Sequence, residues 1–230
     1  MRQNKSNPEY VVTPMSTEFA LDQMVMQQVR AWDVLDERVL EVMRRVPREQ
    51  FVPPSYREVA YADTAIPLPH GQHMLAPKVV GRILQALDPA PLDSVLEVGT
   101  GSGYLTACLA SCARQVQSID IHEDLAAAAA ARLAANGLAN AQVRAADAFA
   151  LELKHYYNVI VLTGSLPRYD ERFQQALEPG GRLFAIVGDG PAMAARLVQR
   201  VAANRWTSID LFETWVEPLV HAARPPRFVF

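Results

Sequence analysis

Ser94-Val-Leu-Glu-Val-Gly-Thr-Gly-Ser-Gly-Tyr104 decides how the rest of the chain is read. Val95, Leu96 and Val98 make a short apolar run of the kind buried in a parallel sheet. Gly99, Gly101 and Gly103 interrupt it, and a helical pattern follows from Tyr104. Strand, glycine turn and helix together let a backbone approach a ligand closely, because no Cβ stands in the way. The spacing is Gly-x-Gly-x-Gly, which differs from the Gly-x-Gly-x-x-Gly of dinucleotide-binding loops. Glu97 lies inside the strand, two residues before the first glycine. A carboxylate buried there needs a partner, either the cationic amino group of a ligand or the N–H groups of the loop itself.

After the loop the pattern alternates. Gln115–Asp120 reads as a strand, Glu123–Asn136 as an Ala-rich helix closed by Asn136-Gly137, and Gln142–Ala145 as the next strand. Tyr157–Leu162 is a largely apolar strand, Arg168–Leu177 a helix, Pro179-Gly180-Gly181 a turn and Leu183–Val187 a further strand. Such alternation predicts an α/β, doubly wound, mainly parallel sheet with helices on both faces. Beyond Gly190 the residues admit two readings: an amphipathic helix over 192–202, or a β-hairpin of 194–201 and 207–213 turning at Asn204-Arg205.

Ahead of the loop, residues 1–17 read as a polar, extended arm. Leu21, Val25, Val29 and Trp32 recur at helical spacing, and a second helix spans about Asp36 to Arg45, stopping before Pro47. The two helices suit a lid or a packing layer equally. Six prolines between residues 46 and 77 exclude a long helix or central strand there, while Phe51, Tyr56 and Tyr61 argue for an ordered loop. Lys78 to Leu87 forms a helix leading into the first strand. The chain thus divides into residues 1–77, an arm, helices and loop packed on a core, and residues 78–230, the α/β domain.

Composition narrows the class. Half of the 230 residues are apolar and a fifth are charged, the balance of one sizeable globular core. A net charge of −3 offers no overall attraction to nucleic acid. No apolar run approaches the ~20 residues of a membrane span, and the opening residues lack the apolar core of a signal peptide. Cys108 and Cys112, four apart on a helix, suit a reducing compartment and helix packing better than a disulfide or a metal. The expectation is a cytoplasmic protein without metal, nucleic-acid or membrane partners. Oligomeric state is left open.

In a doubly wound sheet, ligands bind outside the carboxyl ends of the strands. Asp120 ends the second strand, where a carboxylate can accept both hydroxyls of a ribose or cap the following helix. Asp147 follows the third strand, suited to an adenine amino group or an N-cap. Thr163-Gly164-Ser165 ends the fourth and faces the same crevice. His70 and His73 lie in the proline-rich stretch without a third ligand for metal, and His122, His155 and His221 read as surface residues.

The loop with its preceding acid resembles the first motif of class I S-adenosylmethionine-dependent methyltransferases. A narrower resemblance covers roughly residues 20–190. Val46-Pro-Arg-Glu-Gln-Phe-Val-Pro-Pro54, Tyr61-Ala-Asp, Gly71-Gln72 with Ala76-Pro77, Ser118-Ile-Asp-Ile121, Thr163 with Pro167, and Leu177-Glu-Pro-Gly-Gly-Arg-Leu183 are similar, in order, to the protein-L-isoaspartate O-methyltransferase family. The resemblance implies a Rossmann-like fold with a C-terminal hairpin, which favours strand for 192–202. It implies methyl transfer from S-adenosyl-L-methionine to the free carboxyl of L-isoaspartyl residues in damaged proteins or peptides. It places the cofactor at Glu97, Gly99, Thr100, Gly101, Gly103, Asp120, Ile121, Asp147 and Ala148. The substrate falls at Gly71, Gln72, Met74 and Leu75, with His73 and Thr163 as catalytic residues.

One departure stands at the acceptor side. After Gly-Gln the family writes Thr-Ile-Ser, hydroxyls that lie at the substrate carboxylate, whereas this chain has His73-Met74-Leu75. Thr163 is followed by Gly164-Ser165-Leu166 rather than by small alanines. Losing one hydrogen bond to a charged group costs about 1.5–3 kcal/mol, or roughly one to two decades in rate. His73 is the residue placed to restore the donor. The rival readings are a methyltransferase for another acceptor and a cofactor-binding module without catalysis. A nicotinamide dehydrogenase is disfavoured by the glycine spacing and Glu97.

Overall fold

The computed structural model describes residues 17–153, 156–191 and 193–225. The arm expected over residues 1–17 lies outside them except for Thr17, and so does His155. The main sheet has seven strands: β3 (Ser94–Val98), β4 (Gln115–Asp120), β5 (Ala141–Ala145), β6 (Tyr157–Leu166), β7 (Leu177–Val187), β8 (Met193–Ala202) and β9 (Arg205–Thr214). Their order is β5-β4-β3-β6-β7-β8-β9, parallel from β5 to β7 and antiparallel beyond. A separate ladder pairs β1 (Ile66–Pro67) with β2 (His73–Met74). The helices are α1 (Thr17–Gln23), α2 (Glu37–Arg45), α3 (Pro77–Leu87), α4 (Tyr104–Ala110), α5 (Glu123–Ala135) and α6 (Arg172–Gln175). The chain runs outward from β3 to β5 and then returns to β6 on β3's other side. The crevice therefore opens where β3 and β6 diverge.

The period of two along each strand sorts the core into halves. Val95, Val159, Val161, Phe184 and Ile186 share one cluster with α2, α3 and α4. Leu96, Val98, Ile160, Leu162, Leu183 and Ala185 share the other with Phe173 of α6. Glu97 has the parity of Val95 and is therefore aimed at α4. Met24, Val25, Val29, Leu40 and Met43 are buried in the first cluster, so the N-terminal helices are a packing layer on α3. The first of them continues from α1 through a π-helical stretch, Met24–Val29, into a 3₁₀ turn at Arg30–Trp32. Cys108 is a core residue and Cys112 packs beside it, both free thiols.

Several expectations are corrected. The helix expected over Arg168–Leu177 is a single turn, because Asp170 accepts the N–H of Arg172 and Leu177 is already paired with Tyr157 across the sheet. Pro179-Gly180-Gly181 lies inside β7 rather than ending an element, as a bulge in which Gly180 takes φ +80°. The strand expected to end at Leu162 runs to Leu166, and a second irregularity sets Thr163 and Gly164 between the pairs Val161–Phe184 and Ser165–Ile186. The hairpin is formed, turning at Ala203-Asn204, one residue earlier than expected. Helix propensity over 192–202 loses because β7 offers a row of unpaired backbone groups and burial for Met193, Ala195 and Val198.

The proline-rich stretch is ordered by one buried cation. Arg48 is wholly buried; its Nε donates to Ala60 O at 2.8 Å and Nη2 to Leu75 O at 2.9 Å, with the guanidinium 4.8 Å from the centre of the Tyr104 ring. Phe51 is buried edge-on to the same ring, and the Tyr61 hydroxyl donates to Glu49. The loop is thus tied to α4, directly after the glycine turn. Arg48→Ala strands two carbonyls and leaves a void, and the expected loss is about 2–4 kcal/mol, measured by denaturant unfolding. A loss under about 0.5 kcal/mol, the range of ordinary surface substitutions, would show that the guanidinium does not hold the loop.

Candidate active site

The glycine turn sets the geometry. Gly99, Gly101 and Gly103 take φ of +93°, +53° and +85°, a region that side chains with a Cβ rarely adopt. A Cβ on Gly99 would stand 2.2 Å from Thr163 Oγ1, and that approach is used: the Thr163 hydroxyl donates to Gly99 O at 2.6 Å, with Val98 O at 3.0 Å. Gly103 caps α4 and faces Ala129 of α5, where a Cβ would lie at 3.1 Å. Its contribution is therefore helix packing, and it lines neither pocket of the site.

Glu97 is completely buried under the turn. Its Oε2 accepts the hydroxyls of Thr106, on α4, and Ser118, on β4, the latter at 2.6 Å; Thr100 Oγ1 lies 2.6 Å from the Ser118 oxygen. The partners within the protein are hydroxyls rather than the loop N–H groups, one of the two alternatives read from the sequence. Oε1 has no partner. Burial pushes the carboxyl pKa up to about 7, the two hydroxyls oppose the shift, and nearby Asp120 adds to it.

Asp120 is drawn inward. Its Oδ2 accepts the N–H of Gly101 at 2.8 Å and its Oδ1 that of His122 at 2.9 Å, so one carboxylate clamps the glycine turn to the start of α5. Asp147 Oδ1 accepts the N–H of Phe149 at 2.9 Å in a tight turn, and Oδ2 lies 2.8 Å from His221 Nδ1. Burial raises the Asp147 pKa, but His221 and the backbone donors prevail and hold it below the usual carboxylate value. His221 is exposed, as expected, yet it is bound to this site. His122 is half-buried: its Nε2 has no partner among the described residues, and its ring stacks 4.0 Å from that of His70, which in turn meets Asp124.

These groups enclose a cavity of about 490 Å³. Gly99, Gly101, Asp120, Ile121, Asp147 and Ala148 form its floor and one side, Gln72, His73 and Leu75 with Thr163 the other. A smaller pocket beneath the turn, about 30 Å³, brings Glu97, Thr100 and Met74 next to His73 and Thr163. Gly71 is exposed and lines neither. Four carboxylates line the large cavity, those of Asp63, Asp120, Asp147 and Glu217, against the single lysine Lys78, itself 2.7 Å from Asp63. The site therefore favours a ligand carrying positive charge. No group of three His, Cys, Asp or Glu among the described residues is placed to hold a metal, and no described helix is long and apolar enough to cross a membrane.

Sequence reasoning missed one wall. Residues 214–220 return across the tip of β6, where Ser165 N donates to Glu217 O and Leu219 N to Ser165 O, each at 2.9 Å. This brings Trp215, Glu217 and Leu219 into the cavity, with Glu217 Oε1 2.6 Å from His73 Nδ1. Nothing in the spacing of residues 73 and 217 signals the pair.

Because the folded pKa of Glu97 lies above its unfolded value near 4.5, the folded state keeps a proton that the unfolded state releases. Stability contributed by this group is full below that lower value and declines as pH rises toward 7, by about 3 kcal/mol in all. Unfolding measured at about pH 5 and pH 7.5 should show this decline in the wild type and lose it in Glu97→Gln. An identical pH dependence in the two proteins would contradict the assignment.

The family model described as protein-L-isoaspartate(D-aspartate) O-methyltransferase matches residues 20–221. A Koribacter versatilis protein-L-isoaspartate O-methyltransferase is 38% identical over 211 residues, 90% of this chain and 95% of that protein. A Rhodopseudomonas palustris protein-L-isoaspartate O-methyltransferase 1 is 39% identical over 198 residues, 85% of this chain and 79% of its own. In fold, the chain is similar to a Plasmodium falciparum structure described as a protein-L-isoaspartate O-methyltransferase in complex with S-adenosyl-L-homocysteine, with a TM-score of 0.75 at 18% identity, covering 86% of this chain and 97% of that one. The chain belongs to the protein-L-isoaspartate(D-aspartate) O-methyltransferase family.

Proposed function

We propose that this protein transfers the methyl group of S-adenosyl-L-methionine to the free carboxyl of L-isoaspartyl residues in damaged proteins or peptides. The observation that carries the reading is the acidic cavity at the β3–β6 crevice, floored by a glycine turn over a buried carboxylate with one unpaired oxygen. Those residues fit the cofactor. Glu97 with Gly99, Thr100 and Gly101 would hold the amino-acid end, and Glu97 Oε1 lacks only a cationic donor. Asp120 with Ile121 would take the ribose and Asp147 with Ala148 the adenine; Gly103 serves by letting α4 start against α5. The bound cofactor supplies a sulfonium methyl group. Its positive charge matches the excess of carboxylates in the lining.

The acceptor enters beside Gln72, His73, Leu75 and Thr163. A carboxylate is already a nucleophile, so the chain's task is placement and exclusion of water. His73, held against Glu217, is the donor that stands where the family places hydroxyls, and Met74, buried beneath it, fixes its strand. The division into residues 1–77 and 78–230 follows the same logic: the first part carries the acceptor loop and the second the cofactor. Leu68 packs the first part onto the second, since its Cδ1 would lie 3.3 Å from a Cβ on Gly101. We place the protein in the cytoplasm, a setting in which the free Cys108 and Cys112 persist unoxidised.

The test is transfer of labelled methyl from S-adenosyl-L-methionine to an isoaspartyl peptide, with the matching aspartyl peptide as control. Selective labelling is expected. Tight cofactor binding without label on either peptide would refute the repair reading. His73→Ala should lower kcat/KM for the isoaspartyl peptide by about 10- to 100-fold while cofactor affinity stays as in the wild type. Undiminished turnover would remove His73 from the acceptor site.

A further inference from the structure

His73 and Glu217 form more machinery than a carboxyl acceptor needs. Glu217 is fixed by the backbone on both sides of it, through the bridge between Ser165 and Pro218. Its Oε1 lies 2.6 Å from His73 Nδ1, and the imidazole's other nitrogen, Nε2, has no protein partner among the described residues. His73 lines both the large cavity and the pocket beneath the glycine turn, together with Thr163 and Gly99. An imidazole beside a carboxylate, both in the lining of a ligand cavity, supplies the two parts of a general base and the acid that positions it. A carboxylate acceptor has no proton to give up.

We propose that the same site methylates aromatic hydroxyls, with His73 as general base and Glu217 as the residue that positions it. The proposal rests on the cofactor reading of the cavity. The phenolic oxygen attacks the methyl carbon of the sulfonium as the C–S bond breaks, and that bond's electron pair stays on sulfur, leaving a neutral thioether. The phenolic proton passes to His73 Nε2, where Glu217 balances the imidazolium charge, and is then released to water. The products are an aryl methyl ether, the demethylated cofactor and a proton.

A phenol suits a side-chain base better than an aliphatic alcohol, because its hydroxyl proton is far more acidic. The wall suits a ring. Leu75, Trp215, Val216, Leu219 and Val220 surround the pair in the cavity lining, and Trp215 is 57% exposed at its mouth. An aromatic acceptor would cover that apolar surface, and it brings no charge toward Glu217.

The experiment incubates the full chain with labelled S-adenosyl-L-methionine and, separately, p-cresol, a tyrosine-containing peptide and the isoaspartyl peptide. Ether and ester products are separated by base, which hydrolyses methyl esters and leaves aryl ethers intact. Base-stable label is expected on at least one phenol; label on cresol alone would mark a small-molecule acceptor, and label on the tyrosine peptide a protein side chain. In Glu217→Gln, checked for folding by circular dichroism and thermal unfolding, the ratio of phenol to isoaspartyl turnover should fall at least about tenfold. Equal falls in both would reduce Glu217 to a structural role and overturn the base assignment. No base-stable product from a wild type that methylates the isoaspartyl peptide would overturn the proposal and leave the repair reading standing. Absence of cofactor binding would remove both.

Discussion

The burial of the Glu97 carboxylate is the constraint on which the site depends. No cation reaches it within the described chain, so its compensation comes from hydroxyls on two other elements, Thr106 of α4 and Ser118 of β4. Those bonds fix the distance of α4 from the sheet and hold the glycine turn between them. Asp120 closes the arrangement from the next strand by taking the N–H of Gly101. A buried carboxyl with one oxygen unpaired among the described residues is costly in the free protein, and an arriving cationic group would lower that cost.

The second half of the site is assembled from far apart in sequence. Thr163 lies at the irregularity of β6, and its hydroxyl donates to Gly99 O. The loop carrying His73 is held through Leu75 O by Arg48, whose guanidinium also rests on Tyr104 at the head of α4. The C-terminal segment then docks on the tip of β6 and delivers Glu217. Cofactor and acceptor regions thus share one mechanical frame, centred on the start of α4, so disturbance of the proline-rich loop is transmitted to the glycine turn through packed and hydrogen-bonded groups.

Much of this is legible in the sequence. The strands at 94–98 and 115–120, the helix after the glycine turn, and the positions of Asp120, Asp147 and Thr163 at strand ends all follow from local pattern, and the three side chains all line the cavity. The misreadings share a cause. Arg168–Leu177 has a helical pattern and Pro179-Gly180-Gly181 that of a turn, yet pairing with β6 draws Leu177 and its successors into a strand. His122 has the sequence setting of a surface residue, yet it stacks on His70, 52 positions earlier in the chain.

The sequence by itself determined the periodicities, the glycine turn with its acid, and the family to which they belong, because these depend on neighbours a few residues apart. The tertiary structure alone decided that Glu97 would be paired by hydroxyls, that Gly103 would serve packing, and that His73 would meet Glu217. Such pairings join residues whose separation along the chain carries no information about their distance in space. They exist only once sheet order and strand irregularities have set which ends lie together.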